Sequence, residues 1–72
     1  MNYTIATLEG HNIRINIDHK GNKYLVGICD TDTNEYTHKE YAELQQALAV
    51  FQKLTQAIIE GCYTYEQRKA ML

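Results

Sequence analysis

The sequence predicts an α+β fold: an antiparallel meander of three or four strands packed on one long helix, with a short C-terminal helix after it. Three observations carry this reading. Residues 12–18 (Asn-Ile-Arg-Ile-Asn-Ile-Asp) alternate polar and apolar without exception, the period of a strand with one buried face. From Tyr41 onward the apolar residues change period and fall at Tyr41, Leu44, Ala47, Leu48, Phe51, Leu54 and Ile58, the spacing of a helix with one apolar stripe. Short clusters of Gly, Asn, Asp and Thr separate the segments, and these residues supply turn conformations and local hydrogen bonds.

The first strand is expected over residues 3–8, Tyr-Thr-Ile-Ala-Thr-Leu, rich in β-branched and aromatic side chains. Glu9-Gly10-His11-Asn12 then turns the chain into the second strand, and His19-Lys20-Gly21-Asn22 turns it again. Residues 23–30 form a third strand, with Tyr24, Val26 and Ile28 on the same side as the isoleucines. After Thr31-Asp32-Thr33-Asn34, residues 35–37 offer a short fourth strand. Thr37-His38-Lys39-Glu40 has the capping-box pattern, so the long helix is expected from about residue 38 to residue 60. Gly61 follows as a C-terminal cap. A second box, Thr64-Tyr65-Glu66-Gln67, starts a short helix ending near Met71. The expected core is Ile5, Ile13, Ile15, Ile17, Val26, Ile28, Leu44, Leu48, Phe51, Leu54 and Ile58, within one domain covering residues 1–72.

Composition narrows the function classes. At 72 residues the chain is too short for a nucleotide-binding fold with a separate substrate domain. It contains no serine, which removes serine nucleophiles. Seven Lys and Arg against nine Asp and Glu leave a net charge of −2. That balance argues against general nucleic-acid binding, which draws on a basic surplus. Apolar runs fall far short of the ~20 residues of a membrane span, and no basic-then-apolar leader opens the chain. A cytoplasmic location with reduced Cys29 and Cys62 is expected.

The chemistry-bearing residues are sparse. Asp30-Thr31-Asp32-Thr33-Asn34 has the opening of a calcium loop, but Glu35 stands where the loop needs glycine and Tyr41 where it needs a bidentate acid. A hairpin turn explains the same residues. His11, His19 and His38 have neither each other nor a cysteine at metal-ligand spacing. Cys29 and His38 could meet in space, yet nothing in the sequence around Cys29 lowers its pKa. Neither a metal, a cofactor nor a catalytic residue is expected.

Two surfaces stand out instead. The face of the sheet opposite the core is expected to carry Ala6, Arg14, Asn16, Leu25, Gly27 and Cys29. Small and apolar residues in the third strand would make a flat patch, covered either by a partner or by the C-terminal helix. Asp30, Asp32, Glu35, Glu40 and Glu43 gather around the predicted turn and helix start, where an acidic cluster could face a basic groove. The expectation is a small non-catalytic protein-interaction domain, self-associating or docked on a larger partner. An accessory or inhibitory protein of a phage or mobile element would suit its size and acidity. The alternative is small-ligand or nucleic-acid binding by turn residues and the six tyrosines.

Overall fold

A computed structural model describes residues 2–61 and 64–72. It contains β1 (Tyr3–Gly10), β2 (Ile13–Lys20), β3 (Lys23–Asp30), β4 (Glu35–Tyr41), α1 (Leu44–Glu60) and α2 (Tyr65–Lys69). The strands form one antiparallel sheet in sequence order. Both helices lie on one side of it, so the architecture is the α+β class that the two hydrophobic periods predict.

Each hairpin is set by its turn chemistry. His11 and Asn12 both have positive φ, 52° and 64°, the two-residue turn whose twist matches the flanking strands. Gly21, with φ 63°, opens the two-residue Gly21-Asn22 turn from β2 into β3. The β3–β4 loop is held by Asp30: its Oδ1 accepts from the Asp32 N–H at 2.9 Å and the Thr33 N–H at 3.4 Å. Asn34, with φ 62°, then returns its N–H to the Asp30 carbonyl at 2.7 Å.

The core lies between the sheet and α1. Ile13, Ile15, Ile17, Val26 and Ile28 point up from the two central strands to meet Ala47, Leu54 and Ile58. Gly10 admits the helix closely, since a Cβ there would stand 2.8 Å from Ile58 Cγ2. At the far end of the sheet the inner row is aromatic, Tyr3–His19–Tyr24–Tyr41 across all four strands. His19 stacks on Tyr24 with ring centroids 4.8 Å apart and takes Tyr3 edge-on.

Two expectations about the core change. A bulge in β1 between Thr4 and Ala6 puts the extra residue, Ile5, outside the ladder, and Ile5 is exposed. Leu44 opens α1 and is also exposed rather than buried.

The helix start differs by six residues. Residues 37–40 do not form a capping box; they continue β4, which runs to Tyr41. The reason is the demand of β3. Leu25, Val26, Gly27, Ile28 and Cys29 are all buried, so their backbone groups on the β4 side need protein partners. Residues 35–41 supply them in register from Asp30↔Glu35 to Tyr24↔Tyr41. The helix then begins after Glu43, which occupies the N-cap position without a side-chain cap.

The far end of α1 is as expected. Gly61 takes φ 71° and donates its N–H to the Ala57 carbonyl at 3.0 Å. Thr64 and Gln67 form the predicted capping box of α2. That helix is seated by Tyr65 Oη, 3.3 Å from Thr37 Oγ1, and by the buried Arg68, whose Nη2 donates to the Ala57 carbonyl at 3.5 Å. A guanidinium there complements the carbonyl end of α1. Met71 and Leu72 finish the chain against the same core.

Candidate functional site

The candidate site is the outer face of the sheet. The C-terminal segment does not cover it: α2 lies in the helical layer, against β3 and β4 from the inner side, because Thr37 and Ala57 both belong to that side. Strand register places the outer residues in rows. Glu9, Arg14, Cys29 and Tyr36 form one row; Thr7, Asn16, Gly27 and His38 the next; Thr4, Asp18, Leu25 and Glu40 the third.

Arg14, Asn16, Leu25, Gly27 and Cys29 therefore lie on the outer face as expected. Ala6 does not. The bulge at Ile5 shifts the pairing by one residue, so Ala6 opposes Ile17 and packs on the core. A one-residue slip in a strand exchanges its faces.

The centre of the face is tightly arranged although no helix among the described residues lies above it. Tyr36 reaches diagonally across β3, so that a Cβ added to Gly27 would collide with its hydroxyl and stand 2.8 Å from its Cζ. The same Cβ would stand 2.6 Å from Asn16 Oδ1. Gly27 is thus the floor on which an aromatic ring lies, a cross-strand use of glycine that offsets its poor strand propensity. His38 neighbours the Tyr36 ring at 5.6 Å between centroids. Asn16 Nδ2 donates to Asp18 Oδ2 at 2.9 Å, fixing two outer side chains of β2. Leu25 and Cys29 are themselves buried on this face. A helix starting at residue 38 had removed His38 from the sheet, and Tyr36, within the expected 35–37 strand, had not been placed on this face. The need of buried β3 for a pairing partner is the signal that restores them.

The acidic residues do not form one cluster. Asp30, Asp32 and Glu35 stand at the β3–β4 turn, whereas Glu40 and Glu43 are at the other end of β4. Five residue steps along the strand take Glu35 to Glu40, about 17 Å at 3.3 Å each. Their roles differ too. Asp30 holds the turn, Glu40 pairs with Lys23 Nζ at 3.3 Å, and Glu43 precedes α1. The predicted cluster came from wrapping residues 38–43 into a helix; extension of β4 pulls it apart.

The remaining chemistry is dispersed. Cys29 Sγ lies 3.7 Å from the Asp30 carbonyl, and among the described residues no hydrogen bond joins it to His38. Among those residues no three His, Cys, Asp or Glu side chains converge as a metal site would require. Cys62, considered above with Cys29, lies outside the described residues, as does Tyr63. A shallow depression of about 210 Å³ at the base of β1 and β2 is lined by Asn2, Tyr3, Thr4, Asp18, His19 and Lys20, smaller than a usual small-molecule site. No helix among the described residues is long and apolar enough to cross a membrane. The class defined by this geometry is a two-layer α+β sandwich whose outer sheet face carries no helix among the described residues. No protein-family model, curated protein or solved structure matches the chain.

Proposed function

We propose that this chain is a non-catalytic interaction domain that docks on a protein partner through its outer sheet face. The observation that carries the reading is the makeup of that face. Leu25, Gly27 and Cys29 form its centre, Tyr36 lies across Gly27 with His38 beside its ring, and Arg14 stands opposite Cys29 on β2. Tyrosine and arginine around a flat, small-residue centre are the residue types that concentrate binding energy in protein interfaces. Glu9, Asp18, Glu40 and Lys23 surround them with both signs of charge, a polar rim that sets orientation and partner choice more than affinity.

Parallel capture from native lysate with wild type, Tyr36→Ala and Arg14→Glu tests this. A stoichiometric protein retained by wild type and lost by both folded variants supports the reading. Retention of the same protein by both variants overturns it. The second reading, stacking of a single-stranded nucleic acid on Tyr36 and His38, draws on their 5.6 Å ring separation. Its sign would be salt-dependent binding of an oligonucleotide that Tyr36→Ala abolishes.

A further inference from the structure

The three outer rows are arranged so that the face complements itself. The middle row, through Asn16 and Gly27, has no carboxylate, lysine or arginine, and it lies midway between the other two. A two-fold axis running along that row, in the plane of an interface, lays a second copy on the face with first and third rows exchanged. Each strand then meets its own copy. Arg14 meets Asp18, in both directions, and Cys29 meets Leu25. No two like charges are directly opposed. A two-fold axis parallel to the strands would instead set β2 over β3, with Arg14 on Cys29 and Asp18 on Leu25, charges against buried positions. Among the described residues neither Arg14 nor Asp18 belongs to an ion pair; the pairs there are Lys23–Glu40 and Lys69–Glu66.

Tyr36 fits the same axis. Its hydroxyl end rests on Gly27, in the middle row, and the side chain is about half exposed. Packed sheets lie about 10 Å apart. With one ring on each glycine, three contacts of roughly 3.5 Å (glycine to ring, ring to ring, ring to glycine) fill that gap.

We infer that the protein partner of the outer face is a second copy of this chain, packed face to face about a two-fold axis that crosses the strands at Gly27, with Arg14 of each copy paired with Asp18 of the other. The inference rests on the outer face being the docking surface. A foreign partner would have to carry this charge pattern and an aromatic ring at the same spacing, whereas a second copy carries both by symmetry. The strands of the two sheets lie within about 30° of each other, as in aligned sandwiches. Four strands about 4.8 Å apart, with seven or eight residues each, give the face roughly 500 Å² in plan. That is at the small end for specific interfaces, so association in the micromolar range is expected.

Sedimentation equilibrium on the full chain, from low micromolar to several hundred micromolar, is the test. The expected mass approaches twice 8.3 kDa. Arg14→Asp and Asp18→Arg, made separately, each weaken association by about tenfold or more, because each sets like charges together twice. Mixed in equal amounts, the two variants associate again, since both pairs in the mixed dimer are of opposite charge. Tyr36→Ala also weakens the dimer, and Ile59→Glu, an exposed position on the helical side, leaves it unchanged. Arg14 is exposed, so Arg14→Asp keeps the monomer fold and carries the test where Asp18→Arg does not fold. A mass of 8.3 kDa throughout overturns the inference. So does a dimer that Arg14→Asp leaves intact or Ile59→Glu dissociates, and so do folded single variants that stay apart on mixing. Capture from lysate separates this failure from that of the docking reading. With the wild type monomeric, a different protein held by wild type and lost by Tyr36→Ala leaves the outer face as the docking surface; capture of none removes both.

Discussion

Gly27→Ala, made alone and with Tyr36→Ala, isolates the contact at the centre of the outer face. The added Cβ occupies space now filled by the Tyr36 hydroxyl end and Asn16 Oδ1. Tyr36 is half exposed and can swing outward, so the strand survives while the ring leaves its floor. Alanine gains roughly 0.5–1 kcal/mol over glycine in an extended segment. Losing a cross-strand aromatic contact costs roughly 0.2–1 kcal/mol. The two nearly cancel, and Gly27→Ala is expected within about 0.5 kcal/mol of wild type. The double-mutant cycle separates them. Tyr36→Ala costs about 0.5 kcal/mol beside Gly27 and close to nothing beside Ala at that position, a coupling of about 0.5 kcal/mol. In a domain of this size that is about 2–4 °C of melting temperature, within reach of thermal denaturation followed by circular dichroism. Equal costs of Tyr36→Ala in both backgrounds would refute the argument that the ring rests on Gly27. If the outer face is the docking surface, Gly27→Ala also weakens partner binding as Tyr36→Ala does, with stability held.

Three further outcomes follow from other parts of the fold. Arg68 is buried, the one hydrogen bond of its side chain among the described residues is 3.5 Å long, and Nε has no partner among them, so its volume matters more than its charge. Arg68→Ala is expected to cost about 2 kcal/mol or more and Arg68→Met far less; equal losses in urea denaturation would contradict this. Asp30→Ala removes both side-chain bonds of the β3–β4 turn and is expected to cost about 1 kcal/mol, with added calcium leaving the wild-type midpoint unchanged. Burial raises the Tyr41 pKa above its ordinary 10.0, and its hydroxyl has no partner among the described residues. As pH rises past about 10 the unfolded chain loses this proton first, so the folded state binds more protons and stability falls. Tyr41→Phe should therefore flatten the decline of stability above pH 10; an identical slope in both proteins would remove Tyr41 as its cause.

Local patterns made much of this legible. The alternation of Ile13, Ile15 and Ile17, the Gly61 cap and the Thr64–Gln67 box each depend on a few adjacent residues, and each appears where the pattern places it. The failures share a different cause. Thr37-His38-Lys39-Glu40 satisfies the helix-start pattern as well as it satisfies a strand. The choice is made by β3, whose buried backbone needs a second pairing partner. The Ile5 bulge is equally silent in sequence, because residues 3–8 carry no strict alternation to violate. It moved Ala6 inward and Ile5 outward, and thereby changed the membership of the candidate site.

The sequence alone determined the order of elements, the apolar stripe of α1, the turn positions and the absence of serine chemistry. These follow from covalent neighbours and from periodicities of 2.0 and 3.6 residues. The tertiary structure decided where β4 ends, which side α2 takes, that the acidic residues stand about 17 Å apart at two ends of a strand, and that Tyr36 rests on Gly27. Each of these depends on which distant backbone or side chain is available to satisfy a buried group. Availability of that kind is a property of the packed chain rather than of any segment within it.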